Sequence, residues 1–200
     1  MREEVRKANW QEVWSRFQSD DKEAFAILYD LHINALYSYG TKLCKDEEAV
    51  KDALQEVFMD LYLRRNKLNL DYEKLKYYLL LALKRSLIKK MEAGRKLIHK
   101  FNESIDFQPD YSIEFQIIEH EKDEEIRFRV LHALNQLPAK QKEAIYLRYN
   151  ESLDYPEVAK ILHITVESVR KQVYRALKTV KEIIDNQSIT ILFSIFLKKR

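Results

Sequence analysis

Two hundred residues are enough for one large domain or two small ones. Only 2 Gly and 3 Pro occur, which suits a nearly all-helical chain, because helix interiors tolerate neither residue well. The net charge is only +3, so a concentrated positive face would stand out, and the single cysteine, Cys44, excludes an internal disulfide and any zinc site built from several thiolates.

The first residues, MREEVRKANW, lack a signal-peptide apolar core. The only long hydrophobic run is Ile189–Leu197, nine residues, far short of the roughly 20 that a membrane helix needs. No membrane insertion is expected, and the chain is read as soluble and cytoplasmic. Residues 186–200 are an apolar tail that packs on the last domain or stays partly disordered.

Trp10, Val13, Trp14 and Phe17 recur at helical spacing and predict a short amphipathic helix. Asp20 and Asp21 can cap the next helix, which runs through Phe25, Leu28, Leu31, Leu36, Tyr39 and Leu43. Asp46 precedes a third, with Val50, Ala53, Leu54, Val57, Phe58 and Leu61 inward. Its outer face carries Asp52, Gln55, Glu56 and Asp60, either a solvated surface or a docking face for a basic partner. A polar connector follows, Arg64 to Asn69, and Asp71 can cap the next helix. That helix turns basic. Residues 84–100 hold seven basic side chains, among them Lys84, Arg85 and Lys89, against one acid, with Tyr72 and Tyr77 just upstream. Cations interleaved with aromatics suit a single nucleic-acid strand, because charge follows the backbone while rings stack on bases.

Residues 101–122 reverse the sign and are read as an acidic linker containing one short helix, Ile113–His120. A second domain, 123–185, opens with Ile126, Val130, Ala133, Leu134 and Leu137, stops at Pro138, continues through Ala144, Ile145 and Leu147, and turns at Asn150 to Ser152. Tyr155, Val158, Ala159 and Leu162 then form a short stripe that breaks at His163-Ile164. Thr165 stands at an N-cap, and Val166, Val169, Val173, Leu177, Val180 and Ile184 face inward. The other face shows Ser168, Lys171, Gln172, Arg175 and Lys178. Two short helices, the second rich in donors, make a helix-turn-helix. Residues 163–181 contain five basic side chains, including Arg170, against one acid, the electrostatic footprint of phosphate contact. The fold class is therefore all-α: two small helical domains joined by an acidic linker, the second a helix-turn-helix domain.

Three stretches resemble the extracytoplasmic-function (ECF) sigma factors of bacterial RNA polymerase, in the sigma-70 family. KEAFAILYDLHINALYSYG followed by DALQEVFMDLYLRR, Lys22 to Arg65, resembles the family's first domain. LKYYLLLALKRSLIKK, Leu75 to Lys90, resembles its promoter-melting helix. Leu134 to Glu182, with L-P-x-K-x-x-E-A, Y-x-E-V-A-K-I-L and S-V-R-K-Q-V-Y-R-A-L, resembles its last domain.

The resemblance implies that Asp52, Gln55, Glu56 and Asp60 help bind core polymerase. It implies that Tyr77, Tyr78, Lys84, Arg85 and Lys89 face the −10 element, with Arg65, Asn66 and their neighbours where the family holds an extruded base. It places Thr165, Ser168, Arg170, Lys171, Gln172, Arg175 and Lys178 on the −35 element, and adds an anti-sigma factor as a partner. Two departures stand out. His163 replaces the Gly often found at the helix-turn-helix break, and Ser86 and Lys90 stand where the melting helix commonly carries Asn and Asp. Residues 8–100 would be the polymerase and −10 domain. The competing class is a stand-alone helix-turn-helix regulator that never joins polymerase. An enzyme is not expected: no Gly-rich phosphate loop, H-E-x-x-H or cysteine-pair spacing occurs, and the five histidines are scattered. No cofactor is expected.

Overall fold

The computed structural model describes residues 9–97, Phe107 and residues 129–183, with the backbone alone at 93–97 and 183. The fold is all-α, in two compact units, Met1–Ser104 and Ile105–Arg200. The expected Ile113–His120 helix and the apolar tail lie outside the described residues.

Unit 1 holds α1 (Trp10–Gln18), α2 (Lys22–Leu43), α3 (Glu47–Arg64) and α4 (Leu75–Leu97). Single 3-10 turns, Arg65–Lys67 and Tyr72–Lys74, lie between α3 and α4. The starts of α2 and α3 follow from one chemistry. The Asp21 carboxylate accepts from the backbone N–H groups of Glu23 and Ala24, and Asp46 does the same for Glu48 and Ala49. The Ala24 N–H, then the Arg16 guanidinium, holds the Asp21 carboxyl below its ordinary range. Asp20 is not a cap. Its backbone is left-handed and its carboxylate serves another role, described below. Asp71 does not cap with its side chain either; only its carbonyl receives a bond, from Lys74 N–H.

Helix α4 packs on α2 and α3, and α1 packs on α2. Leu75, Leu79, Leu80, Leu83 and Leu87 of α4 are fully buried, as are Leu28 and Leu36 of α2 and Leu61 of α3. Each such side chain contributes roughly 1.5–3 kcal/mol of burial. Aromatic contacts run from Trp14 to Phe17, Phe25 and Phe58 at centroid separations of 5.3, 5.8 and 6.5 Å. Gly40 permits the crossing of α2 with α3: a Cβ there would lie 2.7 Å from a Val50 methyl.

Unit 2 holds helical residues 129–135 (α5), α6 (Ala139–Ile145), one π turn (Tyr146–Asn150), α7 (Tyr155–Leu162) and α8 (Val166–Ile183). Its core joins Val130 and Leu134 of α5, and Leu137 just after it, to Ile145, Ala176 and Val180. The helix through Ala144 and Ile145 does not end at a simple turn. It widens into the π turn, and Ser152 then adopts φ 58 to redirect the chain. Phe107 falls inside the stretch read as a solvated linker, yet it is buried edge-on against Tyr146, 5.6 Å between centroids. Burial of one aromatic ring outweighs the local polarity of its neighbours.

Candidate nucleic-acid interface

Helix α7 starts on a capping box. Asp154 accepts from Glu157 N–H at 2.7 Å, and Glu157 accepts from Asp154 N–H at 2.8 Å. It ends at His163, with φ 53 and ψ 42. Ile164 N–H bonds the Ala159 carbonyl and His163 N–H bonds that of Lys160, the paired bonds of a Schellman ending. His163 thus fills a position that glycine would fill without strain, at a cost of about 1 kcal/mol. Thr165 then caps α8: its hydroxyl accepts from Ser168 N–H at 3.1 Å, and the two hydroxyls lie 2.8 Å apart. Both side chains are therefore engaged in starting the helix.

Val169, Val173, Ala176 and Val180 bury the inner stripe of α8. Lys171, Tyr174, Arg175 and Lys178 stand exposed at i, i+3, i+4 and i+7, a single outward ridge. Gln172 is half-buried beside it. Lys171 pairs with Glu167 at 2.8 Å and Lys178 approaches Glu182 at 3.8 Å, both along the same helix and both solvent-exposed. Such pairs are weak and leave the ammonium groups able to turn outward. Arg170 does not join the ridge closely: its guanidinium lies 5.6 Å over the Tyr155 ring, whose centroid is also 5.1 Å from the Arg148 guanidinium. Tyr174 escaped the sequence analysis. It is 68% exposed, and an aromatic set between Lys171 and Lys178 at helical spacing was the signal that could have found it.

In unit 1 the predicted −10 residues separate. Arg85 and Lys89 are exposed one turn apart on α4, and Tyr78 falls on the same face by spacing. Tyr77 and Tyr78 are half-buried, and Tyr78 donates to Asp60 at 3.5 Å. Burial first, and then the Asp60 charge, pushes the Tyr78 phenol upward. Lys84 is only 8% exposed, so this conformation does not display it beside Arg85. Arg65 also turns inward, its side chain 16% exposed, and pairs with Asp20 at 2.6 Å. Asn66, Lys67 and Asn69 remain exposed on the connector.

The acidic face of α3 is divided between two neighbours. Asp52, Gln55 and Glu56 are exposed. Glu56 reaches α4, where Lys90 donates at 2.6 Å and Ser86 at 2.8 Å. The Lys90 bond, then that of Ser86, holds the Glu56 carboxyl below its ordinary range. The two family departures on α4 thus bind one carboxylate. Asp60 pairs with Arg64 at 2.6 Å. Gln55 instead borders a groove of about 820 Å³ between α2 and α3, floored by Phe25, Ile33, Leu54 and Phe58. Tyr29 and Met59 on its lining are 39% and 52% exposed.

Among the described residues, no cluster of three or more His, Cys, Asp or Glu is placed to hold a metal ion, and no helix is long and apolar enough to cross a membrane.

The family description "Sigma-70 region 2" matches residues 28–96, and "Sigma-70, region 4" matches residues 127–180. The chain is 24% identical over 161 residues to the ECF RNA polymerase sigma factor SigM of Bacillus subtilis (strain 168), covering 77% of this chain and 91% of that protein. It is 23% identical over 171 residues to the ECF RNA polymerase sigma factor SigK of Mycobacterium ulcerans (strain Agy99), covering 82% and 88%. Two solved structures share the fold. One is the sigma factor RpoE in complex with the anti-sigma factor NepR from Bartonella quintana, with a TM-score of 0.54, 21% identity, and 80% of this chain and 95% of that one covered. The other is CnrH in complex with the cytosolic domain of CnrY, at 0.52, 17%, 86% and 95%. With region 2 matched on unit 1 and region 4 on the helix-turn-helix of unit 2, the chain belongs to the sigma-70 family, in its extracytoplasmic-function class.

Proposed function

We propose that this sigma factor joins core RNA polymerase, recognises a −35 element through α8 and a −10 element through α4 and the 65–70 connector, and so directs transcription initiation. The observation that carries the proposal is the outward ridge Lys171, Tyr174, Arg175 and Lys178 on the second helix of a helix-turn-helix. In a major groove, Arg175 or Lys171 can donate to guanine, and Gln172 can pair with adenine. Thr165 and Ser168 secure the helix start from which those side chains project. In unit 1, Arg85 and Lys89 follow the phosphates of the opened strand, Tyr78 borders it, and Asn66 and Asn69 offer donors and acceptors to an extruded base. Extrusion costs a few kcal/mol, offset by stacking of about 1–3 kcal/mol per base and by contacts with polymerase. Asp52, Gln55 and the adjoining apolar groove form the polymerase face. An anti-sigma factor belongs to the proposal as a second protein partner, since one structural relative is in complex with an anti-sigma factor and the other with the cytosolic domain of CnrY.

No bond chemistry is assigned to this chain; the polymerase supplies it. The test is run-off transcription with core polymerase on a promoter library. Template-specific starts that require the chain are expected. Arg175→Ala should weaken −35 duplex binding about tenfold and reduce the salt slope by about 1. Duplex binding with no polymerase association and no transcript would favour the stand-alone regulator instead.

A further inference from the structure

The turn between α1 and α2 is built around Asp20. Its φ of 71 is unfavourable for a residue with a Cβ, although Asp tolerates it better than most. That backbone brings its carboxylate to the far end of α3. One oxygen, Oδ1, accepts from the Tyr62 hydroxyl at 2.7 Å and from the Arg65 guanidinium at 2.6 Å. Arg65 in turn lies 4.4 Å over the Tyr62 ring and donates to the Tyr62 carbonyl at 2.8 Å. Its Nε is buried with no acceptor, so the guanidinium is oriented by these contacts and not by a full set of bonds.

Two more ties hold the rest of the connector to α1. Gln18 donates to the Leu68 carbonyl at 3.2 Å, and Trp10 stacks on Tyr72 at 5.4 Å with planes 5° apart. Burial pushes the Tyr72 phenol up to about 12. The beginning, middle and end of segment 65–72 are therefore fixed on one side, while Asn66, Lys67 and Asn69 face solvent on the other. The Asp20 side chain is 55% exposed, and an ion pair that open adds little to stability. The pair does join the turn before α2 to the first residue of the 3-10 turn Arg65–Lys67, where the chain leaves α3.

We propose that Asp20 is a positioning residue for base recognition, acting through Arg65 and Tyr62 to fix the register at which Asn66, Lys67 and Asn69 meet the opened strand. This rests on the connector's role in the function proposed above. Direct strand contact is assigned to the exposed connector residues, not to Asp20.

The experiment uses the full chain with core polymerase and promoters carrying each base in turn across the −10 element. Its readout is the ratio of initiation rates between the best and the worst base. Asp20→Ala should narrow that ratio about tenfold, because a shift of about 1 Å in a positioning group costs this much or more, while −35 duplex affinity stays as in the parent. Asp20→Asn keeps the left-handed backbone and a neutral acceptor, and should narrow the ratio less. Arg65→Lys keeps the charge but not the second donor, and should narrow it as Asp20→Ala does, which supplies a reading if the alanine variant fails to fold. A lowered melting temperature with an unchanged ratio would overturn the positioning role and leave Asp20 a brace. An unchanged ratio in the double variant Asn66→Ala, Asn69→Ala would overturn the connector's contact itself, whatever Asp20 does.

Discussion

Glu56 in unit 1 bonds Ser86 and Lys90, 30 and 34 residues along the chain, whereas Lys171 in unit 2 bonds Glu167, one turn away on its own helix. The contrast extends further. Unit 1 binds Arg65 to Asp20 across 45 residues, couples Tyr78 to Asp60, and buries Lys84. Unit 2 leaves Arg175, Lys178 and Tyr174 outward on α8. Charge that looks like a binding face in sequence can thus be bound already, when the partner sits on another helix. Charge paired only along its own helix stays close to solvent and remains available. The cores differ too. Aromatic rings from three helices meet in unit 1, while the cluster beneath α8 is mostly Val, Leu and Ala.

The largest effect expected from this contrast is in the aliphatic core. Leu134→Ala removes a fully buried side chain and should cost about 2–5 kcal/mol. In a domain this small that is a large share of the total stability. Hydrogen exchange should show loss of amide protection throughout α6 and α8; retained protection there would show a core thicker than the packing indicates.

Next comes a polar group that unit 1 buries without a partner. His32 is 7% exposed, its Nε2 has no hydrogen-bond partner, and burial first, then Lys76, lowers its pKa to about 4. The unfolded chain binds the proton near 6.5, the folded one only near 4, so stability is full above about 6.5 and falls as the pH drops through that interval. The loss is as much as about 3 kcal/mol, at 1.36 kcal/mol per unit. His32→Leu should abolish this part of the acid sensitivity and be near neutral at pH 7. Chemical denaturation of both proteins at pH 7, 5.5 and 4.5 measures it; identical pH profiles would refute it.

A smaller effect is expected at the α2–α3 crossing. Gly40→Ala gains about 1 kcal/mol of helix propensity, yet its methyl would meet the stiff Val50 side chain at 2.7 Å. Overpacking costs about 1–3 kcal/mol, so a net loss near 1 kcal/mol should appear in a denaturant midpoint, and a rise in the midpoint would mean that the helices separate freely. The smallest effect sharpens the comparison of ion pairs. Double-mutant cycles should give the Glu56–Lys90 pair a coupling of about 0.7–1 kcal/mol, and Lys171–Glu167 only about 0.3–0.5 kcal/mol. Equal couplings would erase the distinction between bound and available charge.

Helix existence was legible in the sequence wherever one apolar stripe met one cap. Asp21, Asp46 and Thr165 each start a helix through bonds to residues two or three positions on, and such bonds need nothing from the rest of the chain. The break at His163 was legible for the same reason. The ridge of α8 followed from spacing apart from Tyr174, which an account centred on charge passed over.

The residue types at periodic spacing by themselves determined the helices, the all-α class and the outward face of α8, because those depend on contacts within a few residues along the chain. Only the tertiary structure decided that Arg65 turns to Asp20, that Lys84 is buried, that Ser86 and Lys90 converge on Glu56 and that Phe107 packs on Tyr146. The contacts among them join residues 30 or more positions apart, and which of a side chain's many prospective partners it meets is set by how helices cross, a distance that no local periodicity encodes.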